Sequence, residues 1–413
     1  MIDVAVIGGG ASGFYCAIRI KELAPHLSVA IFEKTGKTLT KVRVSGGGRC
    51  NVTHDCSKTS ELIANYPRGA SFLKKVFQEF GVDQFLDWLH SHNVQTKIES
   101  DGRIFPTTNS SETIAGLFEY LADKYKIDIH KNHEWLGFTR IDNKFHQEFN
   151  DRLDSKKVNV ISKLIVIATG GIPDLSKIIW KSSFEWVNPV PSLFSFNADK
   201  SDLNKLKPLS GVSVSNCKIK IMGDKEAFQG PLLITHWGIS GPAVLKTSAW
   251  MARRLFDQHY KFKVLISWVG DFTEDEIREM VYKEIDNNPK KLWKNISIFE
   301  LPNRLWELIL NESGIDLNSV GSSLNKKLVN RLTENVMRFP IEISGKTTFK
   351  EEFVTAGGIS TESISNKNME VKNQSGIYAC GEVLDIDGIT GGFNFQGAWS
   401  TAEIVARAIS TLN

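Results

Sequence analysis

The stretch from Asp3 to Lys34, DVAVIGGGASGFYCAIRIKELAPHLSVAIFEK, constrains the chain more than any other. Ile2 to Ile7 is a short apolar run of the kind that forms a strand buried on both faces. Gly8, Gly10 and Gly13 follow as G-x-G-x-x-G, and Ala11 to Leu23 has the composition of a helix ended by Pro25. Ser28 to Phe32 reads as a second strand, with Glu33 at its C-terminal end. In this arrangement the first glycine permits the tight turn, the second lets backbone approach a pyrophosphate, and the third lets helix pack on sheet. The helix N-terminus adds unpaired N–H groups and a partial positive charge. A carboxylate at Glu33 suits ribose hydroxyls and disfavours a 2′-phosphate, so FAD or NAD fits better than NADP.

Two later segments bear on the choice of dinucleotide. KLIVIATGG (Lys163 to Gly171) is an apolar strand ending in Ala168, Thr169 and Gly170. From Gly376 the chain reads GIYACGEVLDIDGITGGFNFQGAWSTAEIVARAI, a strand, the pair Gly381-Glu382, and a C-terminal helix. Flavoproteins of the two-dinucleotide-fold type close their FAD site with such a returning module, which a simple NAD dehydrogenase does not need. FAD is therefore the expected cofactor. If the last helix begins near Gly397 to Ser400, its N-terminus would face the flavin. Gly391 and Gly392 would then allow close approach, and Asn394 and Gln396 would reach the pyrimidine edge or serve as loop and cap residues.

KVRVSGGGRCNVTH (Lys41 to His54) places three consecutive glycines before Arg49, Cys50 and Asn51. Gly46, Gly47 and Gly48 read as a loop that brings backbone N–H groups to the cofactor. Arg49 offers a planar charged fork to cofactor or anionic substrate, or a salt bridge that holds the loop. Cys50 and Cys56 are spaced C-x5-C, whereas flavin disulfide reductases carry C-x4-C. No second G-x-G-x-x-G follows a strand, and no histidine lies beyond His259. Cys50 is accordingly expected to be a buried thiol that packs beside the cofactor.

The segments GGGASG, SGGGRCNVT, ATGG, THWGISGPA, TAGGIS and GEVLDIDGITGGFNFQGAWS occur in the same order as in a family of bacterial flavoproteins. That family is related to bile-acid reductases and aminoacetone oxidases, and its members are described as NAD(P)/FAD-dependent oxidoreductases. The chain resembles it from Met1 to about Arg407; His54 departs from the family, where an Asn follows NVT. The resemblance implies an α/β fold: a Rossmann-like FAD-binding domain (1–191 and 354–413) carrying a β-rich substrate subdomain (192–272 and 339–353) with a nested helical subdomain (273–338). It also implies hydride transfer through the flavin, on small amines or steroid-like enones, with NAD(P)H, oxygen or another carrier as the redox partner. The expected cofactor contacts are Gly8, Gly10, Ala11, Ser12, Gly13, Glu33, Lys34, the run Gly46 to Asn51, Ala168, Thr169, Gly170, Gly381, Glu382, Asp385, Gly391, Gly392, Phe393, Asn394 and Gln396. His236, beside Trp237 in THWGISGPA, is the candidate proton donor, with a structural role as the alternative.

Residue composition sets limits on partners. Of 413 residues, 50 are Lys or Arg and 47 Asp or Glu, a formal charge of +3 with no global pull toward nucleic acid or membrane. The helical tract carries Lys290, Lys291, Lys294, Lys326, Lys327, Arg331 and Arg338. These read as a solvated surface around Trp293 and Trp306, so a small molecule rather than nucleic acid is the expected substrate. An FAD-binding RNA-modification or regulatory protein docking through this tract is the alternative of a different class. No metal is expected. No secretory pattern precedes IDVAVIGGG, and the five cysteines contain no C-x-x-C pair, so a cytoplasmic location is expected.

Overall fold

The computed structural model describes residues 1–172, 179–347 and 354–412. The chain divides into two compact units, Met1–Pro191 with Phe349–Asn413, and Ser192–Thr348. The expected boundary stretch 348–353 lies outside the described residues.

The first unit is built on a seven-stranded sheet. Its order runs Asp128–His130, Val29–Phe32, Ile2–Ile7, Lys156–Ile167, Lys144–Asp151 and His133–Ile141, with Ile377–Ala379 also paired to Lys156–Ile167. The first strand is parallel to both neighbours, with Ile7 opposite Phe32 on one side and Ile167 on the other. Lys156–Ile167 joins the two halves of the sheet. Its early residues pair antiparallel with Lys144–Asp151 and keep one face in solvent, while Ile165, Val166 and Ile167 run parallel to Ile2–Ile7 and are fully buried. That change follows from cover on both faces of a parallel sheet. The hairpin turn at Asp142 and Asn143 has φ of 48° and 58°, the twist that suits a two-residue connection.

Helix Ala11–Leu23 lies against the last helix, Phe393–Ser410, and both are largely buried. Glu403, fully buried on the last helix, accepts from Arg19 Nε at 2.7 Å, Arg19 Nη2 at 3.0 Å, Tyr15 OH at 3.1 Å and Arg407 Nε at 2.8 Å. This carboxylate ties the C-terminal helix to the first βαβ element across nearly the whole sequence.

The second unit is a closed six-stranded barrel of Ser195–Ala198, Gly238–Ser240, Ala227–Thr235, Ser213–Ile221, Phe262–Ser267 and Phe339–Thr347. Phe196, Ile219, Ile234, Val264, Ile266 and Ile341 are fully buried in its core. Helices Glu274–Asn287, Asn303–Glu312 and Lys326–Met337 add Ile277, Val281, Trp306, Ile309, Leu332 and Val336 to the same apolar cluster, and the short turn Trp293–Asn295 adds Trp293. Thr273 and Glu276 close a reciprocal capping box at the first of these helices.

Among the described residues no helix is long and apolar enough to cross a membrane.

Candidate dinucleotide site

The three glycines of the first turn have different surroundings. A Cβ at Gly8, where φ is 117°, would lie 2.3 Å from the Ala168 carbonyl oxygen, so this position requires glycine for both conformation and space. A Cβ at Gly13 would stand 2.0 Å from the Gly8 carbonyl oxygen, which is the close packing of helix on strand. Gly10 has φ of −93°, and among the described residues no atom lies within 4 Å of the missing Cβ. Neither backbone strain nor packing demands glycine there. The space it leaves lies at the N-cap of the first helix, whose leading N–H groups have no side-chain cap. Ala11 and Ser12 open that helix.

Glu33 stands beside this turn. Its Oε2 accepts the Gly9 N–H at 2.9 Å, and Oε1 accepts the Thr35 N–H at 2.9 Å and hydroxyl at 2.8 Å. A carboxylate has capacity for further donors, so ribose hydroxyls are compatible with these bonds. Lys34 follows on the same loop, and its carbonyl accepts from Arg152 at 3.4 Å.

Helix Thr40–Gly48 breaks at Ser45, and Gly46, Gly47 and Gly48 take φ of 58°, 68° and 83°. Three successive left-handed residues explain three successive glycines. At Gly47 and Gly48 the missing Cβ again faces open space. Arg49 turns toward the protein: its Nη1 pairs with Glu99 Oε1 at 2.6 Å, and its guanidinium lies 4.0 Å above the Phe105 ring. The side chain thus holds the loop. Cys50 is fully buried with φ of 59°, and burial pushes its thiol up to about 12, against a smaller opposing bond to Ser45. All five cysteines are free and buried, so Cys50 and Cys56 form no disulfide.

Ala168 and Thr169 follow directly on strand Lys156–Ile167 beside the first turn, and Gly170 has φ of 72°. Glu382 accepts the Thr355 N–H at 3.2 Å on Oε1 and pairs through Oε2 with Lys41 at 2.7 Å. Gly381 approaches the first helix so closely that a Cβ would meet Ser12 Oγ at 2.4 Å, and its N–H donates to Thr401 at 2.9 Å. Asp385 continues this loop, its N–H bonded to the Ile359 carbonyl at 2.9 Å.

The last helix begins at Phe393, one turn earlier than the expected Gly397 to Ser400, because Gly392 adopts a left-handed N-cap with φ of 95°. Gly391 has φ of 128°, and its carbonyl accepts from His54 Nδ1 at 3.0 Å. The earlier start changes the roles of two residues expected at the pyrimidine edge. Asn394 clamps the preceding turn, accepting from Gly388 N and donating to Gly388 O, each at 2.9 Å. Gln396 is fully buried, accepting from Thr53 Oγ1 at 2.6 Å and donating to Ser400 Oγ at 2.9 Å.

Among the described residues Asn51 Oδ1, Thr169 Oγ1 and Thr355 Oγ1 are buried without a hydrogen-bond partner. Leaving such atoms unpaired costs about 1–3 kcal/mol each. These atoms, with the open space at Gly10, Gly47 and Gly48, fit the binding of an extended polar molecule along the loops. Among the described residues no group of His, Cys, Asp and Glu could hold a metal ion.

His236 lies in the second unit, exposed on the turn between Ala227–Thr235 and Gly238–Ser240, its ring edge-on to Trp237 at 4.3 Å. Lys41, Thr53, Tyr66, Arg68, Thr355, Asp387 and Thr401 support the site loops without having been singled out from sequence. Asp387 was visible as part of the DIDG motif. Tyr66 and Arg68 carry no local signal, since their partners lie more than 300 residues away.

A ribosomal RNA dihydrouridine synthase of Haemophilus influenzae is 29% identical over 414 residues, covering 98% of each chain. A 3-dehydro-bile acid delta(4,6)-reductase of Clostridium scindens is 25% identical, covering 99% of each. The 3-ketosteroid-delta4-(5alpha)-dehydrogenase of Rhodococcus jostii RHA1, solved with 4-androstene-3,17-dione, shares the fold with a TM-score of 0.52 at 12% identity, over 100% of this chain and 97% of that one. The description "HI0933-like protein Rossmann domain" matches residues 2–408, nearly the full length, and the chain belongs to that family.

Proposed function

We propose that this protein is an FAD-dependent reductase that saturates a carbon–carbon double bond conjugated to a carbonyl, and that its substrate is a uridine of ribosomal RNA. The observation that carries the cofactor assignment is Gly10: glycine stands at the helix N-cap where neither its φ nor any protein neighbour requires it. A pyrophosphate there would receive the first-turn N–H groups, Glu33 would hold the ribose, and the loops at Gly46–Asn51 and Gly381–Gly392 would flank the remainder. FAD held there would supply the hydride for the substrate carbon, with NAD(P)H as the proposed reductant.

The substrate class rests on chemistry common to two relatives. Dihydrouridine differs from uridine by two hydrogens across C5–C6, a bond conjugated with the C4 carbonyl. The bile-acid enzyme's name specifies reduction of double bonds in a 3-keto steroid. In both reactions each double bond that is saturated takes one hydride at its carbon remote from the carbonyl and one proton at its other carbon. The ribonucleotide reading is favoured by the Haemophilus relative, with higher identity across 98% of both chains. A steroid-like enone is the second reading, supported by the Clostridium relative.

The test is mass spectrometry of nucleosides from ribosomal RNA of a strain lacking this gene. A dihydrouridine absent from the deletion strain, restored by the wild-type gene and not by Gly10→Val, is the expected result. An unchanged dihydrouridine content in the deletion strain would refute the RNA assignment. Reduction of a 3-keto-4,6-diene steroid by purified protein would then establish the second reading.

A further inference from the structure

The basic residues of the helical tract do not form one equivalent set. Arg338 is held by Glu334, with Nε at 2.9 Å from Oε1, and also pairs with Glu274. Lys294 donates to Asn318 at 2.8 Å. Elsewhere on this unit Lys205, Lys218, Lys263, Arg254 and Arg278 all have carboxylate partners. Lys326, Lys327 and Arg331 are exposed, and among the described residues none has a carboxylate partner; exposed Lys207, Lys225 and Lys283 lack one too, but only these three fall within six residues of one helix.

Lys327 and Arg331 share a face of helix Lys326–Met337 at i and i+4, and Lys326 lies beside them at the start of the helix. With Asn330 and Glu334 they border one open stretch of surface along this helix. Glu334 is the only acid among these residues, and it is engaged by Arg338. From Asn318 to Thr333 the sequence contains no acidic residue. Lys290 and Lys291 approach the same end, since Gly321 N–H bonds to the Lys291 carbonyl at 2.9 Å and Ser322 N–H to that of Pro289 at 3.0 Å.

The placement also runs against helix electrostatics. Helix Glu274–Asn287 carries Glu274, Asp275 and Glu276 in its first turn, as the dipole favours. Lys326–Met337 carries two lysines and no acid there. Two cations at the positive end of a helix, without a carboxylate partner among the described residues, weaken the helix. A departure of that kind from local preference is expected where a surface serves a partner.

We infer that this face is a docking site for the ribosomal RNA backbone, with Lys326, Lys327 and Arg331 contacting phosphates; the inference rests on the RNA reading of the substrate. Phosphate contacts supply affinity and position the RNA without reading its sequence. Asn330, between the cations, can donate to a phosphate or sugar oxygen.

The test uses the full-length, FAD-loaded protein and a fluorescently labelled fragment of ribosomal RNA, read by anisotropy across a salt series. The triple variant Lys326→Glu/Lys327→Glu/Arg331→Glu should bind at least about tenfold more weakly, with a salt slope reduced by about 2 to 3. Its flavin absorbance should be unchanged. Lys218→Glu/Lys263→Glu, which reverses two paired surface lysines, should stay within about twofold of wild type. Equal affinity of the triple variant and wild type, equal losses in both variants, or no RNA binding by wild type would each overturn the docking site. So would preferential binding of wild type to phosphatidylserine vesicles.

Complementation separates this failure from failure of the functional reading. If the triple variant restores dihydrouridine in the deletion strain as fully as wild type, the docking site is wrong while the reading stands. If wild type restores none, yet the triple variant alone loses RNA affinity, the reading is wrong and the surface remains an RNA site.

Discussion

Arg68 and Asp387 form a bidentate ion pair across 319 residues, with the Asp387 side chain fully buried and that of Arg68 only 13% exposed. The pair holds the GEVLDIDG loop against the segment Tyr66–Gly69. Tyr66 reinforces the clamp by donating its hydroxyl to the Phe393 carbonyl at 2.5 Å, and a Cβ at Gly69 would strike Ile386 at 2.4 Å. The turn that leads into the last helix is therefore positioned by a remote segment. Arg68→Ala should destabilise the protein by about 3–5 kcal/mol, because it removes the cation from a buried carboxylate. Urea unfolding together with flavin content measures this, and a loss below about 1 kcal/mol would show the pair to be dispensable.

Gly10 and Gly13 should respond oppositely to substitution. At Gly10 a side chain meets only open space, so Gly10→Val should fold with near-native circular dichroism and lack flavin absorbance. At Gly13 a Cβ would overlap the Gly8 carbonyl, so Gly13→Val should fail to yield folded protein. Flavin retained in folded Gly10→Val would remove the pyrophosphate from this turn.

Cys50 should be chemically silent. Its thiol is buried and pushed up to about 12 by that burial, so little thiolate forms at neutral pH. The native protein should resist iodoacetamide at this residue, and Cys50→Ser should keep flavin content and turnover within about twofold. Abolished turnover with full flavin content would reveal a chemical role.

Glu403 should make stability sensitive to acid. Burial by itself raises its carboxyl, but the hydrogen bonds and charges of Arg19 and Arg407 prevail and hold it below the ordinary value of 4.5. A depressed folded value means that the contribution is present in full above the ordinary value and is lost as pH falls through the folded one. Glu403→Gln should therefore cost about 3–5 kcal/mol at neutral pH, and the gap from wild type should narrow below about 4.5. Urea melts over a pH series would show it; a gap independent of pH would contradict the linkage.

The sequence alone offers His236 as a proton donor for the proposed reduction. His236→Ala should lower turnover by about 10²-fold with flavin content unaltered. Turnover equal to wild type would assign the proton to another group.

The sequence by itself determined the parts of this protein whose physics is local. A strand, a glycine-defined turn, a helix and a terminal acid occupy adjacent positions from Ile2 to Glu33, so their spacing alone specifies a dinucleotide-binding βαβ element. The Thr273–Glu276 capping box is local in the same sense. Tertiary structure decided what depends on partners distant in sequence. Arg49 could have faced a ligand, and Glu99 and Phe105 fixed it on the protein instead. Gln396 was claimed by Thr53, 343 residues away, and Arg68 by Asp387. The same division holds on the helical tract, where Arg338 and Lys327 look alike in sequence. Only the fold brings Glu274 to Arg338 and leaves Lys327 without a carboxylate partner among the described residues. A side chain's chemistry is written in the sequence, but the groups that compete for its hydrogen bonds and charge are chosen by the fold.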